Sequence, residues 1–257
     1  RRGCLPRFDP QGGTTMTQQL MHPIEELLPA YVAGSLDDEE AQAVEVHVAG
    51  CDACSASLRD WQLVHAAAVG NASGGVLIGG KGGSGKSTSA LACLESNLSY
   101  IGDDYTLLST ESGPVVHSLY NSAKLNSDHV QRFPALLPQV ANPDRLADEK
   151  ALLFVHEHDP AKVATQLPVR AILLPRVTGL ADTRLKRGSV AAALAALAPS
   201  TIFQLPRAGN EALKFLATFA RNLPCFSLEA GTDLSTIPPA IEGLLAEIDS
   251  SSLRPEE

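Results

Sequence analysis

The stretch Gly79-Gly80-Lys81-Gly82-Gly83-Ser84-Gly85-Lys86-Ser87-Thr88 constrains this chain more than any other part of it. It fits G-x-x-x-x-G-K-[ST], with Gly80 first, Gly85 and Lys86 next, and Ser87 last. The apolar run Val76-Leu77-Ile78 ahead of it predicts a short buried strand, and Ser89-Ala90-Leu91-Ala92-Cys93-Leu94 behind it predicts a helix. Strand, glycine loop and helix is the context this pattern requires. A polyphosphate needs several hydrogen-bond donors at close range. Glycines let the backbone curl its N–H groups inward, and the start of a helix adds the positive end of its dipole. The residues from Gly80 to Thr88 are therefore expected to bind a nucleotide, with Lys86 neutralising its β- and γ-phosphates and the Ser87 hydroxyl ligating Mg²⁺. The alternative is a flexible Gly/Ser linker, but a linker has no reason to end in Lys-Ser or to sit between apolar runs.

The rest of the composition sets the frame. The chain has 257 residues, 44% hydrophobic and 19% charged, enough for a sizeable core and one or two domains. Its formal net charge is -9 and it has no dense Lys/Arg block, which argues against a nucleic-acid partner. No apolar run reaches the ~18 residues a membrane helix needs, so no membrane span is expected. Five cysteines, with one C-x-x-C pair and no secretory leader, fit a reducing, cytoplasmic setting. Residues 1–21 look like an irregular leader or upstream extension, with Met16 or Met21 as the expected start, and they are set aside together with Cys4. Residues 249–257 look like a polar, disordered tail.

Residues 22–60 read as a small all-helical module. His22 to Tyr31 is apolar at helical spacing, and Gly34 ends that helix. Ser35 with Asp37, Asp38, Glu39 and Glu40 opens the next, its acids at the positive end. That helix carries Ala41, Val44 and Val48 and leads into His47-x₃-Cys51-x₂-Cys54. Histidine and cysteine four apart share a helical face, and the C-x-x-C turn adds a second thiolate at the same point. His47, Cys51 and Cys54, with His22 as the natural fourth ligand, would make a tetrahedral Zn²⁺ site. A redox C-x-x-C, or two ordinary buried cysteines, is the alternative.

His22, Leu28-Pro-Ala-Tyr31-Val-Ala-Gly34-Ser-Leu36-Asp-Asp-Glu-Glu40 and His47-x₃-Cys51-x₂-Cys54 together resemble the zinc-binding anti-sigma domain. That resemblance implies a helical module able to grip a sigma factor. Family members often carry a membrane helix later in the chain, and this sequence has no candidate for one.

Residues 61–248 read as a second, α/β domain. His65 lies 15 residues before Gly80, and Asp103-Asp104 lie 16 and 17 residues after Ser87, closing the apolar run Leu98-Ser-Tyr-Ile-Gly102. An acidic pair this soon after the loop, with a histidine ahead of it, is similar to HPr kinase/phosphorylase and related serine kinase-like proteins. That group shares a nucleotide-binding fold with ATP-dependent phosphoenolpyruvate carboxykinase. Phosphoryl transfer is mostly positioning and charge neutralisation. Adjacent carboxylates at a strand end point to opposite sides, so one can serve a metal and the other an acceptor hydroxyl. Asp103 and Asp104 jointly carry those two roles in this reading, with Asp103 expected as the Mg²⁺ ligand beside Ser87. A capped Gly-Asp-Asp turn is the plain alternative.

The resemblance maps His65 to a histidine near the phosphates and the base; otherwise it is an ordinary histidine. It also implies a glutamate metal ligand downstream, but the matching region Ser118 to Lys124 has none, and Lys124 could steady a phosphate instead. Arg170, Arg176, Arg184, Lys186, Arg187 and Arg207 are all candidates for a further cation. His117, His129, His156 and His158 read as ordinary.

Further strands are expected at 114–119, 151–155, 169–174, 201–204 and 225–228, and helices at 189–197, 210–222 and 238–248. Ser189 and Asn210 are the expected N-caps. Residues 126–150 read as a loop or lid with a short helix. Cys93 and Cys225 read as core, and Trp61 as the contact between the two segments.

The function expected from all this is Mg²⁺- and ATP-dependent phosphoryl transfer to a Ser or Thr hydroxyl, on a protein. The alternatives are a non-enzymatic, zinc-binding anti-sigma-type regulator with a nucleotide-sensing domain, or a simple NTPase switch. ATP, GTP and pyrophosphate all remain candidate donors, and a homo-oligomer is compatible with the sequence.

Overall fold

A computed structural model describes residues 24–205 and 209–252. His22, Arg207, the expected leader and the last residues of the expected tail lie outside the described residues. In chain order the helices α1 (Leu28–Ala33), α2 (Asp38–Gly50) and α3 (Asp52–Leu58) come first, then strands β1 (Trp61–Val64), β2 (Ala66–Asn71) and β3 (Gly74–Gly79). Helix α4 (Lys86–Ala92) precedes strands β4 (Ser99–Gly102), β5 (Thr106–Ser109), β6 (Val115–Ser118) and β7 (Ser122–Leu125). Helix α5 (Ser127–Val130), β8 (Ala151–Phe154), α6 (Val155–His158), β9 (Gln166–Val177) and β10 (Arg184–Arg187) follow. Helices α7 (Val190–Gln204) and α8 (Asn210–Arg221), β11 (Cys225–Ala230) and α9 (Ile237–Ser252) complete the described chain.

The body is a mixed α/β structure around a large sheet. Its strands run β1-β5-β6-β9-β3-β2-β4, with β11 also paired to β9 and β10 to β11, while β7 and β8 form a separate hairpin. The long β9 meets β6 antiparallel at its start and β3 and β11 in parallel further on. Strand alternation sends Val76 and Ile78 to one face and Leu77 to the other. The first face packs on α4 and α9 through Leu91 and Ile241; the second packs on α7 and α8 through Leu197 and Phe219. Both faces are covered, as the apolar strands predict.

The N-terminal helices form their own small core of Leu28, Tyr31 and Val44. Gly34 ends α1 in the left-handed conformation, at φ 72°. Trp61 packs against this core and against a second cluster with Leu63 and Leu107, so it does join the two parts. Its ring also meets that of His117, centroids 5.0 Å apart.

Several sequence expectations need correction. The cap of α2 is Asp37, not Ser35: its carboxylate accepts from the Glu40 N–H, and the Glu40 side chain returns to the Asp37 N–H. Residues 201–204 are the end of helix α7, not a strand, although Thr201-Ile202-Phe203 has β-branched and aromatic character. Leu197 and Thr201, four apart, are both fully buried on one helical face, and packing carries the helix through Pro199. Ser189 does cap α7, but α8 is capped by Gly209 and contains Asn210 as its first residue. The expected strand 151–155 stops at Phe154, and His156 to His158 lie in the single helical turn that follows it. Helix α9 runs to Ser252, into the expected tail.

Candidate functional site

The sheet register gathers the site. Strand β2 is antiparallel to both β3 and β4, so β3 and β4 run in the same direction. Ala66 pairs with Gly79 and Ala68 with Gly102. The ends of β3 and β4 and the start of β2 therefore meet at one edge. From that edge the chain continues into the glycine loop, into Asp103-Asp104, and back to His65.

The loop leaves a fully buried β3 and turns into α4. Gly83 and Gly85 adopt φ of 76° and 104°, values that a residue with a Cβ reaches only under strain. Lys86 folds back over the loop, donating from Nζ to the Gly80 carbonyl at 2.9 Å and the Lys81 carbonyl at 3.5 Å. Burial pushes its ammonium down from the usual lysine range, while Asp103 and Asp104 pull it up. The lysine ammonium is thus tied to the backbone carbonyls of its own loop.

Asp103 is buried. One carboxylate oxygen, Oδ2, accepts from the Lys124 N–H at 3.5 Å; the other, Oδ1, has no hydrogen-bond partner among the described residues. Burial pushes this carboxyl up to about 6, and the charge of Asp104 adds to the rise; the hydroxyl of Ser87 and backbone N–H groups oppose it. An orphaned buried carboxylate oxygen next to a Ser hydroxyl is the donor set of a hard divalent cation. The residues fit Mg²⁺, with Ser87 and Asp103 as the protein ligands.

Asp104 has φ 66°, alone among the described non-glycine residues in taking a positive value. That turn aims it away from Asp103 and into the cleft. Its Oδ1 lies 3.5 Å from His65 Nε2. The hydrogen bond from His65 holds its carboxyl below the usual range, helped by the charges of His65, Lys150 and Lys86, against the opposing effect of burial. The His65 backbone N–H donates to the Thr201 hydroxyl at 3.4 Å, and its ring lies against that of Tyr105, centroids 5.9 Å apart.

A cleft is lined by His65, Gly82, Gly83, Gly85, Lys86, Ser87, Thr88 and Asp104, so most of the residues singled out by sequence surround one space. Lys124 lines it too. Of the other cation candidates, the described ones do not: Arg170 is held by the Ser73 carbonyl, Arg187 lies over Phe226, and Lys186 pairs with Glu229. The cation that sequence reasoning missed is Lys150, with Asn126 and His129 beside it. Lys150 is set in place by Asn142, which donates to the Lys150 carbonyl at 3.0 Å and accepts from the Leu152 N–H at 2.8 Å. A lysine at the end of a long loop has no local signal; only the β7–β8 pairing brings it here.

A second cluster lies in the N-terminal module. The ligand atoms of His47, Cys51 and Cys54 are all within 4.8 Å of one another. The convergence does not come from one helical face, as expected, because α2 ends at Gly50 and Cys51 is the extended link into α3. Burial pushes the Cys54 thiol up, and the adjacent Cys51 adds to it. Two sulfurs and an imidazole at this spacing fit Zn²⁺. None of the four described cysteines forms a disulfide.

Residues 22–55 match a family model described as "Putative zinc-finger". No curated protein sequence matches the chain. Among solved structures, the chain is similar to the Hpr(Ser) kinase/phosphatase from Coxiella burnetii, at 12% identity and a TM-score of 0.41, over 74% of this chain and 98% of that one. No helix among the described residues is long and apolar enough to cross a membrane. The chain thus joins a segment similar to a zinc-finger family to an α/β body whose glycine loop, Asp104 and His65 line one cleft.

Proposed function

We propose that this protein is a Mg²⁺-dependent phosphotransferase that moves the terminal phosphoryl group of a nucleoside triphosphate to a Ser or Thr hydroxyl. The observation that carries the reading is the division of labour between neighbouring carboxylates: Asp103 is buried at Ser87, and Asp104 faces the cleft beside His65.

The loop amides and Lys86 bind and orient the phosphates. Ser87 and Asp103 hold the metal, which when bound supplies charge neutralisation at the phosphate oxygens. Asp104 accepts the proton of the acceptor hydroxyl as its oxygen forms a bond to the terminal phosphorus; the bond from phosphorus to the bridging oxygen breaks and the nucleoside diphosphate leaves. His65 orients Asp104 and shares its charge. Lys124 and Lys150 offset the charge that spreads over the transferred group. A protein acceptor in a reducing, cytoplasmic setting fits the open cleft and the unpaired thiols.

Incubation with γ-labelled ATP, Mg²⁺ and cell extract tests this. Label is expected on a Ser or Thr side chain and is expected to fall by at least about a hundredfold in Lys86→Ala and Asp104→Asn. No transfer, or transfer unchanged in Lys86→Ala, overturns the reading.

The His47, Cys51 and Cys54 cluster favours a second role for the same chain. In it the N-terminal helices, held by Zn²⁺, bind a sigma factor, and the body reports nucleotide. Recovery of a sigma factor on the wild-type protein, lost in Cys54→Ser, is the expected result; recovery unaffected by that substitution contradicts it.

A further inference from the structure

Outside the cleft, the chain holds a cavity of about 500 Å³ where the N-terminal helices meet the α/β body. Tyr31 and Val32 of α1 and Leu58 of α3 line it from the N-terminal side, Trp61 lines it at the junction, and Phe215 of α8 lines it from the body. Small-ligand sites have this size and favour such boundaries between folded units. No residue lines both this cavity and the cleft, so a ligand here leaves the cleft unobstructed. We propose that the cavity binds a small aromatic carboxylic acid.

The walls select an aromatic body. Aromatic residues are only 5% of the sequence, yet Tyr31, Trp61 and Phe215 come together here from α1, β1 and α8. Rings that meet offset or edge to face gain more than the area they bury, so such walls favour an aromatic guest over a saturated one. Glu211, Lys214, Phe215 and Thr218 are spaced three and four apart, which makes one face of α8 a wall of the cavity. Phe215 is held there by stacking on Phe219, centroids 5.9 Å apart, so that wall is formed before a ligand arrives.

The rim sets the sign of the ligand. Lys214 donates to Glu211 at 2.7 Å, and the Asp60 carboxylate accepts from the Thr110 hydroxyl at 3.1 Å. The Lys214 hydrogen bond holds the Glu211 carboxyl below its usual range, and Arg59 adds the smallest pull. Arg59 is therefore the cation left over. Its guanidinium donates to the Ser55 hydroxyl at 3.3 Å and has no carboxylate within ion-pair distance among the described residues. The Ser55 hydroxyl, accepting there, still has a hydrogen to donate. Arg59 and Ser55 thus place a charged and a neutral donor side by side on the cavity, a pair that suits a carboxylate.

Trp61 is the single tryptophan of the chain, so its fluorescence reports this cavity directly. Titrating the full chain with 4-phenylbutyrate and 4-phenylbutylamine compares two ligands with the same apolar body and opposite charge. The acid is expected to shift Trp61 emission to saturation and to bind at least about threefold more tightly than the amine, the scale of an ion pair at an exposed rim. Arg59→Gln is expected to remove that preference and Arg59→Glu to reverse it, with helical circular dichroism unchanged because Arg59 is exposed. 4-Cyclohexylbutyrate, whose ring is saturated, is expected to bind about threefold more weakly than 4-phenylbutyrate. The absence of a saturable shift with 4-phenylbutyrate, equal binding of acid and amine by the wild type, or a preference for the acid that survives both substitutions overturns the carboxylate site. Binding of 4-cyclohexylbutyrate as tight as that of 4-phenylbutyrate overturns its aromatic selectivity.

Discussion

Asp103 and Asp104 are neighbours in sequence with opposite environments. Asp103 is 4% exposed, and burial pushes its carboxyl up to about 6; Asp104 turns out at φ 66° and is held low by His65. A buried carboxyl whose folded value exceeds its unfolded value binds its proton more tightly in the folded state. Its contribution to stability is complete below the unfolded value near 4 and is lost as pH rises through about 6. Without Mg²⁺, stability is therefore expected to fall over that window by roughly 2–3 kcal/mol from this group. Asp103→Asn should remove the fall and exceed the wild type near neutral pH. Urea melts at acid and neutral pH in chelator measure this; the same pH slope in both proteins would contradict it. Such a cost at neutral pH is the mark of a group kept for a ligand rather than for the fold.

At the scale of elements, local chemistry decided what could be read from sequence. Strand β3, the glycine loop and α4 are specified within about twenty residues by apolar runs and glycines, and they form as expected. Strand β2 went unread because Ala66-Ala67-Ala68 has no β-branched signal; these residues are small because β3 and β4 flank them and both faces are covered. Thr201 to Gln204 reads as strand by composition and is held as helix by packing. Lys150 reaches the cleft only through the β7–β8 hairpin and Asn142, contacts that no local pattern encodes. His47, Cys51 and Cys54 were legible by spacing, but through a break between two helices rather than one face.

The N-terminal helices also carry a prediction at this scale. Among the described residues their core has only Leu28, Tyr31 and Val44 as buried members, too little apolar surface for three short helices to stand alone. Zinc bound at His47, Cys51 and Cys54, as proposed, would then be part of their folding free energy. A strong chelator, or Cys54→Ser, should abolish a separate low-temperature transition and reduce helical circular dichroism, while the main transition of the α/β body stays in place. Helicity indifferent to chelator would show that the cluster holds no structural metal.

For the whole molecule, the two parts are joined by very little chain. Helix α3 ends at Leu58 and β1 starts at Trp61; β1 pairs with β5, Val64 opposite Thr106, and His65 follows its last residue. Asp60 anchors the junction, its carbonyl accepting from the Thr110 N–H at 3.0 Å and its carboxylate from the Thr110 hydroxyl at 3.1 Å. Strand β1 thus links the last helix of the N-terminal module to His65 of the cleft. What the molecule does as a whole still depends on the cleft. Titration of the protein with ATP, with and without Mg²⁺, in the wild type, Lys86→Ala and Asp103→Asn tests this most directly. The account predicts binding that requires Mg²⁺ and is weakened by at least about a hundredfold in both variants. ATP binding indifferent to Mg²⁺ and to both substitutions would contradict it.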